Sequence, residues 1–156
     1  MPAFPETKLP KLDKWLQKLE EVVGKPNEDV FLIGHSLGCI TILRYLETLN
    51  VGEKIGGAVL VAGYTDDLGF DELKNFFTKS VHFEKIKQAS LGFIAIHSDN
   101  DPYVPLKHGD IFKKELGAEL IVKNKAKHFS GAIGAKGSCE ELPDVVSGIE
   151  RLSAKQ

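Results

Sequence analysis

Cysteine is scarce. Cys39 and Cys139 are the only two in 156 residues, they lie far apart, and no Cys/His spacing around them resembles a zinc site. A disulfide scaffold and a metal centre are both disfavoured, and reduced thiols are expected. Long apolar runs are missing as well: Ala58 to Ala62 is typical of the longest, far below the ~18 residues that a membrane span needs. With no basic and apolar leader at the start, a soluble, cytoplasmic protein without a membrane partner is the expectation. Charge of one sign is not in surplus. The 20 Lys plus Arg face 22 Asp plus Glu for a net charge of −2, which leaves no electrostatic footprint for nucleic acid. The phosphate-cradling patterns G-x-G-x-x-G and G-x-x-x-x-G-K are absent, so a nucleotide-binding domain is disfavoured and no cofactor is expected. Internal repeats and low-complexity stretches are absent too.

What remains is an ordinary globular composition, 42% apolar and 27% charged, at a length suited to one domain over residues 1–156. After a Pro-rich arm with Pro2, Pro5 and Pro10, the residues Leu12, Trp15, Leu16, Leu19, Val22 and Val23 repeat at the spacing of one helical face. Four short apolar runs follow, Asp29 to Gly34, Gly57 to Ala62, Gly92 to His97 and Glu119 to Val122. Continuous runs of this kind suit strands buried on both faces of a parallel sheet. Helical patterns separate them, from Leu37 to about Leu49 and from near Pro105 to Leu116, and a last one runs from Asp144 to Leu152. The alternation predicts an α/β fold, a mostly parallel sheet flanked by helices.

The sharpest motif is Gly34-His35-Ser36-Leu37-Gly38, a G-x-S-x-G pattern that chance would give ~0.08 times in a chain of this composition. It falls between a predicted strand and a predicted helix, where a tight turn exposes a serine hydroxyl at the carboxyl end of the sheet. Side chains at 34 and 38 are expected to crowd that turn. The plain alternative is a Gly-rich connection in which Ser36 caps the helix.

A serine hydroxyl needs a base to take its proton and a third group to orient that base. The loop His97 to Pro105 follows the third strand and offers two carboxylates. Asp101 is the better orienting acid because Pro102 fixes the chain beside it; Asp99 is the alternative, and turn chemistry alone is the plain reading of both. His97, Asp99 and Asp101 as metal ligands form a weaker option still. His128 follows the fourth strand by a short loop and lies where ligands sit in open α/β sheets. Its plain reading is a solvated loop residue; His35, His82, His97 and His108 read as structural or surface histidines. The chain order Ser36, Asp101, His128 is that of the α/β-hydrolases. Tyr64, Phe70, Phe76, Phe77 and Phe83 follow the second strand and suit either helix core or a substrate pocket, with Tyr64 the candidate for substrate binding.

On Pro10 to Leu16, on Val30 to Cys39 with its elbow, on Asp101-Pro102-Tyr103-Val104-Pro105 and on His128-Phe129, the sequence resembles the small serine hydrolases related to retinoblastoma-binding protein 9 and the YdeN-type proteins. The resemblance implies an α/β-hydrolase fold and a triad of Ser36, Asp101 and His128. The reaction expected is hydrolysis of a small ester or amide, with the Leu37 backbone N–H at the helix start as an oxyanion donor, and the resemblance also implies a protein partner. The rival reading is a non-catalytic binding module on the same fold. Lys127 departs from the family, in which a glycine commonly precedes the histidine. Family members also carry a strand and an HG-containing loop before the Pro-rich segment. Without them half an oxyanion hole, weakened turnover and an open edge at residues 30–34 are expected.

Overall fold

The computed structural model of the chain describes residues 2–130, 139 and 141–154. Helix α1, Leu12–Val23, turns Trp15 and Leu19 inward and ends at Gly24, whose φ of 63° lets its N–H return to the Glu20 carbonyl. Strand β1 (Phe31–His35) leads into α2 (Leu37–Thr48), then β2 (Gly57–Val61), a 3-10 helix at Asp71–Phe76 and α3 (Phe83–Gln88). Strand β3 (Phe93–Ser98), α4 (Lys107–Leu116), β4 (Glu119–Lys123) and α5 (Pro143–Ser153) complete the order. The strands lie side by side as β1-β2-β3-β4, every neighbouring pair parallel, with Leu32 opposite Ala58, Val59 opposite Ile94 and Ala95 opposite Leu120.

Alternation along the inner strands builds two cores. Ala58, Leu60, Phe93 and Ala95 face a large cluster with Trp15, Leu43, Leu46, Phe76, Ile86 and Phe112 from α1, α2, the 3-10 helix, α3 and α4. Val59, Val61, Ile94 and Ile96 face a smaller one closed by Leu152 of α5, with Val145 and Ile149 packed against it. Side chains at 57 and 92 have no room beneath α5, since a Cβ at either would stand 2.7 Å from a Leu152 methyl.

The α/β architecture matches the expectation from the sequence, with one correction. β1 is an edge of the described sheet, in line with the open edge expected at residues 30–34, but its apolar run, which suits burial on both faces, leaves Ile33 53% exposed. Its only strand neighbour among the described residues is β2, and α5 covers Val59 and Val61 but reaches no further than Phe31 on this side. Because all four strands run the same way, the chain emerging from β1, β3 and β4 projects at one end of the sheet. That shared end is where ligands bind in open α/β sheets.

Candidate active site

The turn after β1 is tight for a stated steric reason. A Cβ at Gly34 would lie 2.8 Å from the Cys39 nitrogen and from the Gly38 carbonyl carbon, so only glycine lets the first turn of α2 close over the end of the strand. Gly38 differs from the expectation: a Cβ there meets nothing within 4 Å, because the residue opens away from the strand. Ser36 sits between them at φ 54°, ψ −118°, a region that strains an L-residue. The strain is held by its own N–H donating to the Val61 carbonyl at 2.9 Å and by Cys39 N–H donating back to the Ser36 carbonyl at 3.0 Å. Although Ser36 precedes α2, its side chain caps nothing in the helix. The hydroxyl points across to His128.

The loop after β3 carries Asp101, whose two oxygens divide their tasks. Oδ1 accepts from the Tyr103 and Val104 backbone N–H groups at 2.9 and 3.0 Å, and Oδ2 faces His128 Nδ1 at 2.8 Å. Burial of Asp101 opposes its ionisation. The bonds from His128, Tyr103 and Val104 outweigh that burial and hold the carboxyl below its ordinary value. The loop after β4 then presents His128 with Nε2 3.0 Å from Ser36 Oγ. Ser36, His128 and Asp101 thus form one hydrogen-bonded line drawn from three strand ends, with the His128 and Asp101 side chains only 13% and 2% exposed. Tyr103 stands edge-on to the His128 ring, centroids 5.2 Å apart.

The other named residues fall around that line. Leu37 is the first residue of α2 beside Ser36, where the opening N–H groups of a helix have no partner within it. Tyr64 is 2% exposed and packs its ring 5.9 Å from Phe77, on the Ser36 side of the site. Burial pushes its phenol well above its ordinary pKa, so it stays protonated. Phe76 is fully buried, Phe77 and Phe83 lean on the core, and Phe70 is exposed. Asp99 does not face the histidine; its Oδ1 accepts from Lys125 N–H at 2.7 Å. His97, the third of the alternating trio, is buried against Phe112, and burial followed by the nearby His108 pushes its pKa down to about 4. No group of three metal-ligating side chains occurs among the described residues.

Two features of the base loop escape sequence reasoning. Lys125, Lys127 and Phe129 all have left-handed backbones, with φ of 54°, 51° and 55°, and none is a glycine. At position 127 a glycine would take without strain the positive φ that Lys127 adopts. Second, His35 is no idle surface residue, because its Nε2 donates to the His128 carbonyl at 2.7 Å. Its position inside the motif was the only sequence signal it gave.

The serine hydrolase family model matches residues 4–146. The chain belongs to that family. Among curated members it is 31% identical over 127 residues to YdeN of Bacillus subtilis (strain 168), covering 81% of this chain and 67% of YdeN. It is 32% identical over 105 residues to serine hydrolase RBBP9 of Rattus norvegicus, covering 66% of this chain and 54% of the rat protein. The chain thus spans about two thirds of one relative and about half of the other. The crystal structure of the B. subtilis ydeN gene product superposes with a TM-score of 0.89 at 28% identity, over 98% of this chain and 81% of that one. A Paleococcus ferrophilus monoacylglycerol lipase shares the fold alone, at TM-score 0.61 and 15% identity over 95% and 77% of the two chains. Among the described residues no helix is long and apolar enough to cross a membrane.

Proposed function

We propose that this serine hydrolase family member cleaves a small ester or amide through a Ser36–His128–Asp101 triad and an acyl-enzyme. The observation that carries the reading is the continuous line of hydrogen bonds, 3.0 Å from Ser36 Oγ to His128 Nε2 and 2.8 Å from His128 Nδ1 to Asp101 Oδ2. Ser36 Oγ attacks the substrate carbonyl carbon as its proton passes to His128 Nε2, and the carbonyl oxygen becomes an oxyanion. The Leu37 N–H, at the positive end of the α2 dipole, donates to that oxyanion. Collapse expels the alcohol or amine, which takes the proton from His128. Water then attacks the acyl-serine, giving its proton to the same nitrogen, and the acid leaves as Ser36 recovers its hydrogen. Asp101 keeps the imidazole in the tautomer with hydrogen on Nδ1 and stabilises the imidazolium. Tyr64, protonated and beside Ser36, borders the substrate on the nucleophile's side.

Labelling by a fluorophosphonate, followed by mass spectrometry of the adduct, tests the reading directly. The adduct should sit on Ser36, and Ser36→Ala and His128→Ala should each lose labelling and ester turnover by ~10³-fold or more while keeping the fold. Full turnover in Ser36→Ala would overturn the mechanism. An unlabelled, folded wild-type chain would favour the binding-module alternative.

A further inference from the structure

Four consecutive residues of the base loop are held by side chains from elsewhere. Lys125 N–H donates to Asp99 Oδ1 at 2.7 Å, Ala126 N–H to Ser98 Oγ at 3.0 Å and Lys127 N–H to Asn100 Oδ1 at 2.9 Å. The fourth bond runs the other way, His35 Nε2 donating to the His128 carbonyl at 2.7 Å. A carbonyl oxygen can only accept, so the hydrogen of a neutral His35 is on Nε2. His35 is an exposed residue, and its Nε2 carries the donated hydrogen whether the ring is neutral or protonated. The two histidine rings lie side by side, centroids 4.9 Å apart.

We infer that His35 is a positioning residue for the general base: through the His128 carbonyl it ties the base to the strand end that carries the nucleophile. The inference rests on the triad reading above. Three of the four anchors join the base loop to the end of β3 and the loop after it, and they fix His128 relative to Asp101. Only His35, among these four, fixes it relative to Ser36. His35 and Ser36 are adjacent in the chain, so the gap between Oγ and Nε2 is set across a single peptide unit rather than across the width of the sheet. Without the bond, the stretch 125–129, left-handed at Lys125, Lys127 and Phe129, has one restraint fewer against relaxing away from the elbow. A displacement of a fraction of an ångström at the His128 backbone then lengthens the 3.0 Å contact that proton transfer requires.

The test compares His35→Phe, which keeps a flat ring but deletes the donor, with His35→Gln, whose amide N–H reaches about as far as Nε2. His35→Asn, whose amide is too short, serves as a second donorless-at-distance control if the phenylalanine variant fails to fold. Each is made in the wild-type and His128→Ala backgrounds and assayed with p-nitrophenyl acetate and a fluorophosphonate. His35→Phe and His35→Asn should lower kcat and the labelling rate by about 10- to 100-fold with KM changed less than about threefold, and His35→Gln should recover most of the loss. In the His128→Ala background none of them should cause a further loss, because the route through the base is already gone. Equal losses in both backgrounds would make His35 merely structural, and wild-type rates in His35→Phe or His35→Asn would remove the role altogether. Both results differ from a failed triad, whose mark is a His128→Ala enzyme as active as wild type.

Discussion

The loop that carries Asp101 and the loop that carries His128 face each other across the end of the sheet, and they are held in opposite ways. The Asp101 loop holds itself: Oδ1 gathers the Tyr103 and Val104 N–H groups, and Ser98 donates to Asn100 Oδ1 at 2.9 Å. The His128 loop has one internal backbone bond among its central residues, Phe129 N–H to the Ala126 carbonyl at 3.2 Å, and otherwise relies on Ser98, Asp99, Asn100 and His35. A self-held loop sets the reference position. The other loop is strained at three residues and borrows its position from it. The proposed triad is thus held unequally, with Asp101 on a loop bonded within itself and His128 on a loop bonded to other segments.

The largest effect expected from this asymmetry comes from changing charge without changing shape. Asp101→Asn preserves an Oδ1 acceptor for the turn but removes the carboxylate that selects the His128 tautomer, so kcat should fall about 10³- to 10⁴-fold with the fold intact. Asp99→Asn keeps an oxygen for Lys125 N–H and alters no contact to His128, so its loss should stay below about tenfold. Steady-state kinetics on the two variants decides between the neighbours. Equal losses would mean that the acid loop acts as a whole and that Asp101 has no separate role.

A smaller effect should follow from cutting one of the borrowed restraints. Asn100 Oδ1 accepts both from Lys127 N–H and from the Ser98 hydroxyl, so Asn100→Ala removes a junction between the loops and touches no member of the triad. Unfolding in urea should show a loss of about 1–3 kcal/mol, the usual net value of two hydrogen bonds, and kcat should fall about tenfold as His128 loosens. A loss of stability with unchanged kcat would show that the base loop holds its own geometry, contrary to the asymmetry described above.

The same contrast explains how much of the site could be read in advance. The elbow is legible because sterics force its residues: Gly34 has no room for a Cβ, and the demand appears in the sequence as a glycine. Asp101 is legible for a similar reason, since an aspartate before proline is a residue type that its turn requires. His128 is found only through topology, as the histidine at the right end of the fourth strand. Nothing in Lys125 or Phe129 announces a left-handed backbone, and at Lys127 the one hint is the glycine expected from the resemblance, because residue type favours the opposite. His35 is hidden in the same way, its partner being 93 residues on. The exposed face of β1 is not legible in its own residues, because local apolarity records how a strand pairs but not where it stands in the sheet order; the open edge is expected from the family resemblance alone. The aromatics after β2 split between core and surface, Phe76 fully buried and Phe70 exposed, although periodicity treats them alike.

The smallest expected effect isolates the strain itself. Lys127 holds φ 51° while its N–H is bound by Asn100, and an L-residue in the left-handed region carries about 1–2 kcal/mol of steric cost. Glycine adopts that region freely but loses about 0.5–1 kcal/mol more entropy on folding, so Lys127→Gly should stabilise the chain by about 0.5–1 kcal/mol net. At this size that is a rise in Tm of about 1–4 °C, readable by calorimetry. With every side-chain anchor kept, kcat should change by less than about twofold. The informative experiment is the pair. In Asn100→Ala the backbone at 127 is no longer pinned, and steric relief drives it out of the left-handed region, carrying His128 away from Ser36. Lys127→Gly removes that drive, so the double variant should recover part of the kcat that Asn100→Ala loses. If the two changes instead add independently, with no recovery, then Asn100 holds the loop by its hydrogen bonds alone and the strain at Lys127 has no part in placing the base.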